Sequence, residues 1–191
     1  PLRGFFHRKR DAREKFSDKA RRFPTKRSKT LAFFCRIPYD STYEAKGGRD
    51  MERQVRLSIC GTQKMGDDAP ETMELVTPGV LSVTQEGVRL RYKETELTGM
   101  SGTTTEFLIA PDCVTLTRSG ELRSRMIFAP GHEDRSLYDL GFGALMLTVH
   151  TERIDARIDE NGGTLELAYR LAVEEQTAGT VECRIEVRPV E

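Results

Sequence analysis

Val181-Glu182-Cys183-Arg184-Ile185-Glu186-Val187 sets every second residue apolar or thiol-bearing and charges those between, and Val55-Arg56-Leu57-Ser58-Ile59 opens the same rhythm far earlier in the chain. Neighbouring side chains on a strand point to opposite faces, so this alternation places one face in a core and the other in water. It recurs at Val88-Arg89-Leu90-Arg91-Tyr92, where Val88, Leu90 and Tyr92 share one face while Arg89, Arg91 and Lys93 take the other. The pattern predicts an all-β domain of antiparallel strands.

Working outward, strands are expected over 53–61, 71–76, 79–85, 88–96, 103–110, 113–118, 122–128, 144–158, 164–174 and 180–188, with the second and third forming one strand interrupted at Pro78. Thr98-Gly99-Met100-Ser101-Gly102 is a Gly-rich corner, and 130–135 reads as a loop. Asn161-Gly162-Gly163 and Thr177-Ala178-Gly179 are the expected hairpin turns between the long final strands. About eight strands joined by hairpins have few stable arrangements. A closed or nearly closed antiparallel meander barrel removes the edges that would otherwise pair with other chains. A two-sheet sandwich is the alternative, and the hairpin connectivity favours the barrel.

The zero net charge of the 191 residues hides two unlike parts. Residues 1–50 hold 15 Lys and Arg against 6 Asp and Glu, so residues 51–191 hold 15 against 24. The first part is expected to be a basic, mostly unstructured tail with at most one short helix through Ala12, Phe16 and Ala20, ended by Pro24. The barrel domain is expected over 51–191, starting at Met51. Clustered Lys and Arg suit a nucleic-acid arm if the tail is genuine; a tail outside the native domain is the simpler expectation. The longest apolar run, Ala144-Leu145-Met146-Leu147, is strand-sized, and Leu31-Ala32-Phe33-Phe34-Cys35 is cut short by Arg36. No membrane association is therefore expected, and the location is read as cytoplasmic. Cys35, Cys60, Cys113 and Cys183 are scattered, without Cys-x-x-Cys or a His at ligand spacing, so all four are expected to stay reduced and to hold no metal.

Tyr92-Lys93-Glu94-Thr95-Glu96-Leu97-Thr98-Gly99-Met100-Ser101-Gly102, Leu116-Thr117-Arg118-Ser119-Gly120, Met126-Ile127-Phe128 and Gly162-Gly163 with Leu165, Leu167 and Tyr169 together resemble the YwiB-like family of small bacterial proteins. The resemblance spans about Glu52 to Val187 and departs from the family pattern at Leu140-Gly141-Phe142-Gly143. It implies a calycin-like β-barrel domain of unknown function and carries over no catalytic residue or cofactor. By analogy, an open interior of this kind holds a small molecule, although a fold does not by itself imply a function.

His132, in Gly131-His132-Glu133-Asp134, reads as part of a solvated turn, and His150 lies on the face opposite Leu145, Leu147 and Val149. Neither makes a nucleophile-plus-base site with a cysteine or serine. The less ordinary feature is polar. The face of Val88, Leu90 and Tyr92 continues by parity to Glu94 and Glu96, and that of Val114 and Leu116 continues to Arg118. All three charges are expected inside one rim, across two strand spacings of ~4.8 Å, with Thr103 or Thr105 between them. Buried together they should pair, because an unpaired buried charge is costly. Tyr92, Glu94, Glu96, Arg118 and Tyr169 are the candidate ligand-binding residues. A salt-bridge plug is the simpler use of the charges, and a polar anchor for a small amphipathic ligand is the functional one. The leading expectation is a non-enzymatic barrel that binds such a ligand. The alternatives are an adaptor binding RNA or protein through its outer face or basic tail and, more weakly, a hydrolase using Glu94 or Glu96. An interior cavity above ~300 Å³ would favour the ligand, and a packed interior the adaptor.

Because the alternation starts only after Met51, deletion of residues 1–50 is expected to leave the melting temperature of the domain nearly unchanged. A large fall in thermal denaturation would show that the segment is part of the fold.

Overall fold

A computed structural model describes residues 52–190, and in it the alternating segments form ten strands. These are β1 (Glu52–Met65), β2 (Glu71–Thr84), β3 (Gly87–Lys93), β4 (Thr103–Ile109), β5 (Val114–Gly120), β6 (Arg123–Phe128), β7 (Glu133–Asp139), β8 (Ala144–Asp159), β9 (Gly162–Val173) and β10 (Gln176–Pro189). Each pairs antiparallel with the next, and β10 returns to β1 to close the barrel. Closure sets Leu57 opposite Val187 and Ile59 opposite Ile185, so the two stretches with the clearest alternation meet each other. Leu57, Ile59, Ile185 and Val187 turn inward together and are buried. The expectations for the basic segment and for Cys35 lie outside the described residues.

The count is ten rather than about eight, and the omitted strand is β7, all of which lies outside any expected strand. Its inward residues are Asp134, Ser136 and Tyr138, while Leu137 points out and is 59% exposed. A strand whose buried face is mainly polar gives no apolar alternation to detect. The stretch expected to turn in solvent at Glu133-Asp134 is thus part of a strand, with Asp134 buried. Pro78 does not divide β2. It lies where the pairing of β2 with β3 has already ended at Gly79 opposite Tyr92, so its missing N–H leaves no break in that ladder. The last hairpin turns at Glu174-Glu175, with φ of 50° and 66°, rather than at Thr177-Ala178-Gly179. Gly179 instead follows a register shift in β10, where an added Cβ would come 1.9 Å from the carbonyl oxygen of Lys64.

The seam between β6 and β7 is the loosest. Arg123 pairs with Asp139 and Ser124 with Tyr138, and beyond them the strands part. Side chains replace the missing ladder: Asp134 Oδ2 accepts the N–H of Ile127 at 3.0 Å, and Thr151 Oγ1 accepts that of Ala129 at 3.2 Å. A buried N–H left without an acceptor would cost roughly as much as a lost hydrogen bond.

Burial raises the Asp134 carboxyl above its ordinary value, against the opposing effects of the Ile127 N–H and the charges of His132 and Arg125. With the folded value raised, the contribution of this group to stability is greatest below the unfolded value and is lost as pH rises through the folded one. Asp134→Asn, which keeps an acceptor but carries no charge, is expected to match or exceed the parent stability at neutral pH and to lose that advantage in acid. Asp134→Ala leaves Ile127 N–H without its acceptor and should cost about 1–3 kcal/mol. Denaturant unfolding at neutral and acidic pH checks both, and an Asn variant clearly weaker than the parent at neutral pH would contradict this role.

Candidate functional site

The inward face is filled unevenly. Val55, Leu57, Leu81, Leu90, Val114, Val149 and Leu165 are at most 1% exposed and make a dry packed half. Towards the end that carries the β1–β2, β3–β4 and β9–β10 connections lies a cavity of about 130 Å³. Gly61 contributes to the space, since on β1 it stands between Met73 of β2 and Cys183 of β10 and has no side chain. Apolar walls come from residues such as Leu75, Phe107, Leu116 and Leu167. Four of the six methionines of the chain, Met65, Met73, Met100 and Met126, also line it, as do all three tyrosines of the described residues. Unbranched thioethers adapt to irregular occupants, which makes this wall deformable.

The β3–β4 connection folds over the same end. Glu94 N–H still donates to Thr103 O at 2.9 Å, and the chain then leaves the sheet into a single 3-10 turn, Glu96–Thr98. Gly99 ends the turn at φ 72°, which brings Thr98 and Met100 back into the cavity wall. Tyr138 Oη points its O–H at Met100 Sδ, 4.0 Å away.

Strand parity puts Tyr92, Glu94 and Arg118 on the inward face, and the structure has them there. Tyr92, Glu94, Arg118 and Tyr169 line the cavity. Glu96 does not: strand pairing stops at Lys93, the alternation stops with it, and Glu96 is exposed at the start of the 3-10 turn. The expected ion pair is also not formed. Glu94, 6% exposed, accepts the Thr105 hydroxyl on Oε1 at 2.5 Å, while its Oε2 has no hydrogen-bond partner. Arg118 makes no ion pair among the described residues, and its Nε is buried without an acceptor. The hydroxyl of Thr105 satisfies half of what Arg118 was expected to supply.

The surrounding groups are held neutral. Burial, then the Glu94 carboxylate, pushes the Tyr92 phenol far above its ordinary value, with Arg118 opposing. Tyr138 is pushed up to about 12 by burial, again against Arg118, with Glu94 adding to the rise. Tyr169 rises by burial and by the nearby Cys183, opposed by Arg118; its ring packs on Phe128 with centroids 4.9 Å apart. Burial lifts Cys183 to about 11. At physiological pH the three phenols therefore keep their protons and remain hydrogen-bond donors, all within the field of the Arg118 guanidinium. Tyr138 was missed because β7 was missed, and Thr98 and Met100 because a loop carries no parity.

Residues 57–185 match the family described as "Domain of unknown function (DUF1934)". The chain belongs to the DUF1934 family. A relative, the uncharacterized beta-barrel protein YwiB of Bacillus subtilis (strain 168), is 29% identical over 124 residues, which span 64% of this chain and 86% of the relative. The crystal structure of ywiB protein from Bacillus subtilis has a TM-score of 0.66 at 24% identity, covering 73% of this chain and 94% of that one. The resemblance to the YwiB-like family holds, and so does the barrel.

In this DUF1934 barrel Arg118→Met is expected to lower stability by on the order of 1 kcal/mol, because it leaves the buried Glu94 carboxylate with no opposite charge on the cavity wall. Thr105→Val should cost about 1–3 kcal/mol by taking the remaining donor from a buried carboxylate. Denaturation midpoints check the pair, and an Arg118→Met variant as stable as the parent would show that the guanidinium does nothing to offset the Glu94 charge.

Proposed function

We propose that the protein is a non-enzymatic binding barrel that holds one small amphipathic molecule in its interior, polar end towards Arg118. One observation carries this reading: the Arg118 guanidinium, which makes no ion pair among the described residues and whose Nε is buried without an acceptor, lies with Glu94 on the wall of a largely apolar cavity. A barrel shaped by stability alone would pair those charges or replace them with apolar side chains. At about 130 Å³ the cavity does not reach the ~300 Å³ set above as favouring a ligand, yet the interior is not fully packed, and the space is close to the ~150 Å³ apolar cavity that accommodates benzene, so the occupant proposed is small. A non-enzymatic role is supported by the chemistry of the wall. Its phenols and its thiol are held protonated, and neither His132 nor His150 lines it. Free thiols at Cys60 and Cys183 suit a cytoplasmic setting.

The test uses the methionine methyls as interior reporters. With methyl-labelled methionine, a fragment library varied in head group should shift the signals of Met73, Met100 and Met126 and leave Met146, which does not line the cavity, unmoved. Native mass spectrometry of protein purified from its own cells should show a retained small molecule. If no member of the library moves a cavity methyl and no mass is retained, the barrel is not a binding protein of this kind.

A further inference from the structure

We infer that the ligand is a small monocarboxylate, bound with its head group on Arg118 and with its apolar body, no larger than about a benzene ring, against the methionines. The inference rests on the binding role proposed above and identifies the class of molecule. Charge arithmetic selects the head group. Of the described residues lining the cavity, Arg118 is the one cation and Glu94 the one carboxylate, so the described wall is formally neutral. A carboxylate brings it to one negative charge, whereas a phosphate monoester would bring two and find no second Lys or Arg. An ammonium would face the Arg118 charge, and Glu94, the one carboxylate it could meet, is already tied to Thr105 through Oε1.

The donor pattern agrees. A guanidinium presents a planar fork that matches the two oxygens of a carboxylate, and charge-assisted bonds of that kind are stronger than neutral ones. Tyr138 and Tyr169 add O–H donors that do not ionise at physiological pH, and the field of Arg118 reaches both. Tyr138 Oη has only the 4.0 Å thioether contact with Met100 to give up. Glu94, tied to Thr105, offsets the guanidinium charge while the site is empty, which keeps a lone cation from standing in an apolar wall. The size limit comes from the cavity, which holds the equivalent of about four waters at ~30 Å³ each.

The experiment holds the apolar body constant and changes the head. Hexanoate, hexanol, hexylamine and hexyl phosphate are titrated into the protein while the cavity methionine methyls are followed, and the carboxylate length is then varied from butyrate to dodecanoate. Hexanoate is expected to bind saturably at least tenfold more tightly than the other three, and dodecanoate to be excluded. Arg118→Met should lose that preference while still taking hexanol. Arg118→Lys, which keeps the charge and loses the planar fork, should fall between. Equal or tighter binding of hexanol or hexyl phosphate would overturn the carboxylate assignment while leaving the binding barrel in place. Silence of the methyls with every head group and length would overturn both. Carboxylate binding undiminished in Arg118→Met would overturn the role of the guanidinium.

Discussion

Everything inside this molecule follows from the ladder that joins β10 back to β1. It runs from Val55 opposite Pro189 to Met65 opposite Gly179, and it converts a row of hairpins into a closed surface with a fixed inside. Once that seam is set, side-chain parity decides on which face every residue of a regular strand must lie. Ion pairs such as Arg184–Glu166 and Arg170–Glu152 are thereby left on the outer face, with both partners partly exposed, where each adds little to stability. Among the described residues no helix is long and apolar enough to cross a membrane.

A closed barrel must be filled, and this one is filled at one end more completely than at the other. The strands β3 to β7 have six or seven residues each, whereas β1, β2 and β8 to β10 have twelve to sixteen. The short strands run out before the long ones, so the wall at that end is completed by the β3–β4 connection, with Thr98 and Met100 taking the place of strand residues. A turn with a left-handed Gly99 supplies the sharp change of direction, because glycine alone reaches that conformation without strain on a side chain. The cavity is therefore bounded partly by a segment with few backbone bonds, and such segments open more readily than ladders do.

Two departures from strand regularity concentrate the polar chemistry. At the β6–β7 seam, Asp134 and Thr151 substitute their oxygens for a missing ladder, and the cost is a carboxylate held in a poorly solvated place. At the cavity, Thr105 secures one oxygen of Glu94 while Arg118 is left without an ion pair. The first arrangement is closed on itself and explained by architecture. The second is open, which supports the proposal that these charges serve binding rather than stability.

The sequence by itself determined the antiparallel all-β class and the inward placement of Tyr92, Glu94 and Arg118, because these depend on a two-residue period that local sequence carries in full; its hairpin turns favoured a meander barrel over a sandwich, and closure between β1 and β10 settled it. It also held the family resemblance, in segments such as Tyr92 to Gly102. It concealed β7, whose buried face is Asp134-x-Ser136-x-Tyr138, because polar residues facing inward cancel the apolar signal on which a strand is recognised. It misplaced Glu96, since parity has no meaning once hydrogen bonding to the neighbouring strand stops. Only the tertiary structure decided that Thr105 rather than Arg118 would hold Glu94, and that a cavity would remain where Gly61 faces Met73 and Cys183. Those outcomes depend on distances between side chains far apart in the chain, which closure of the barrel fixes and no local pattern records.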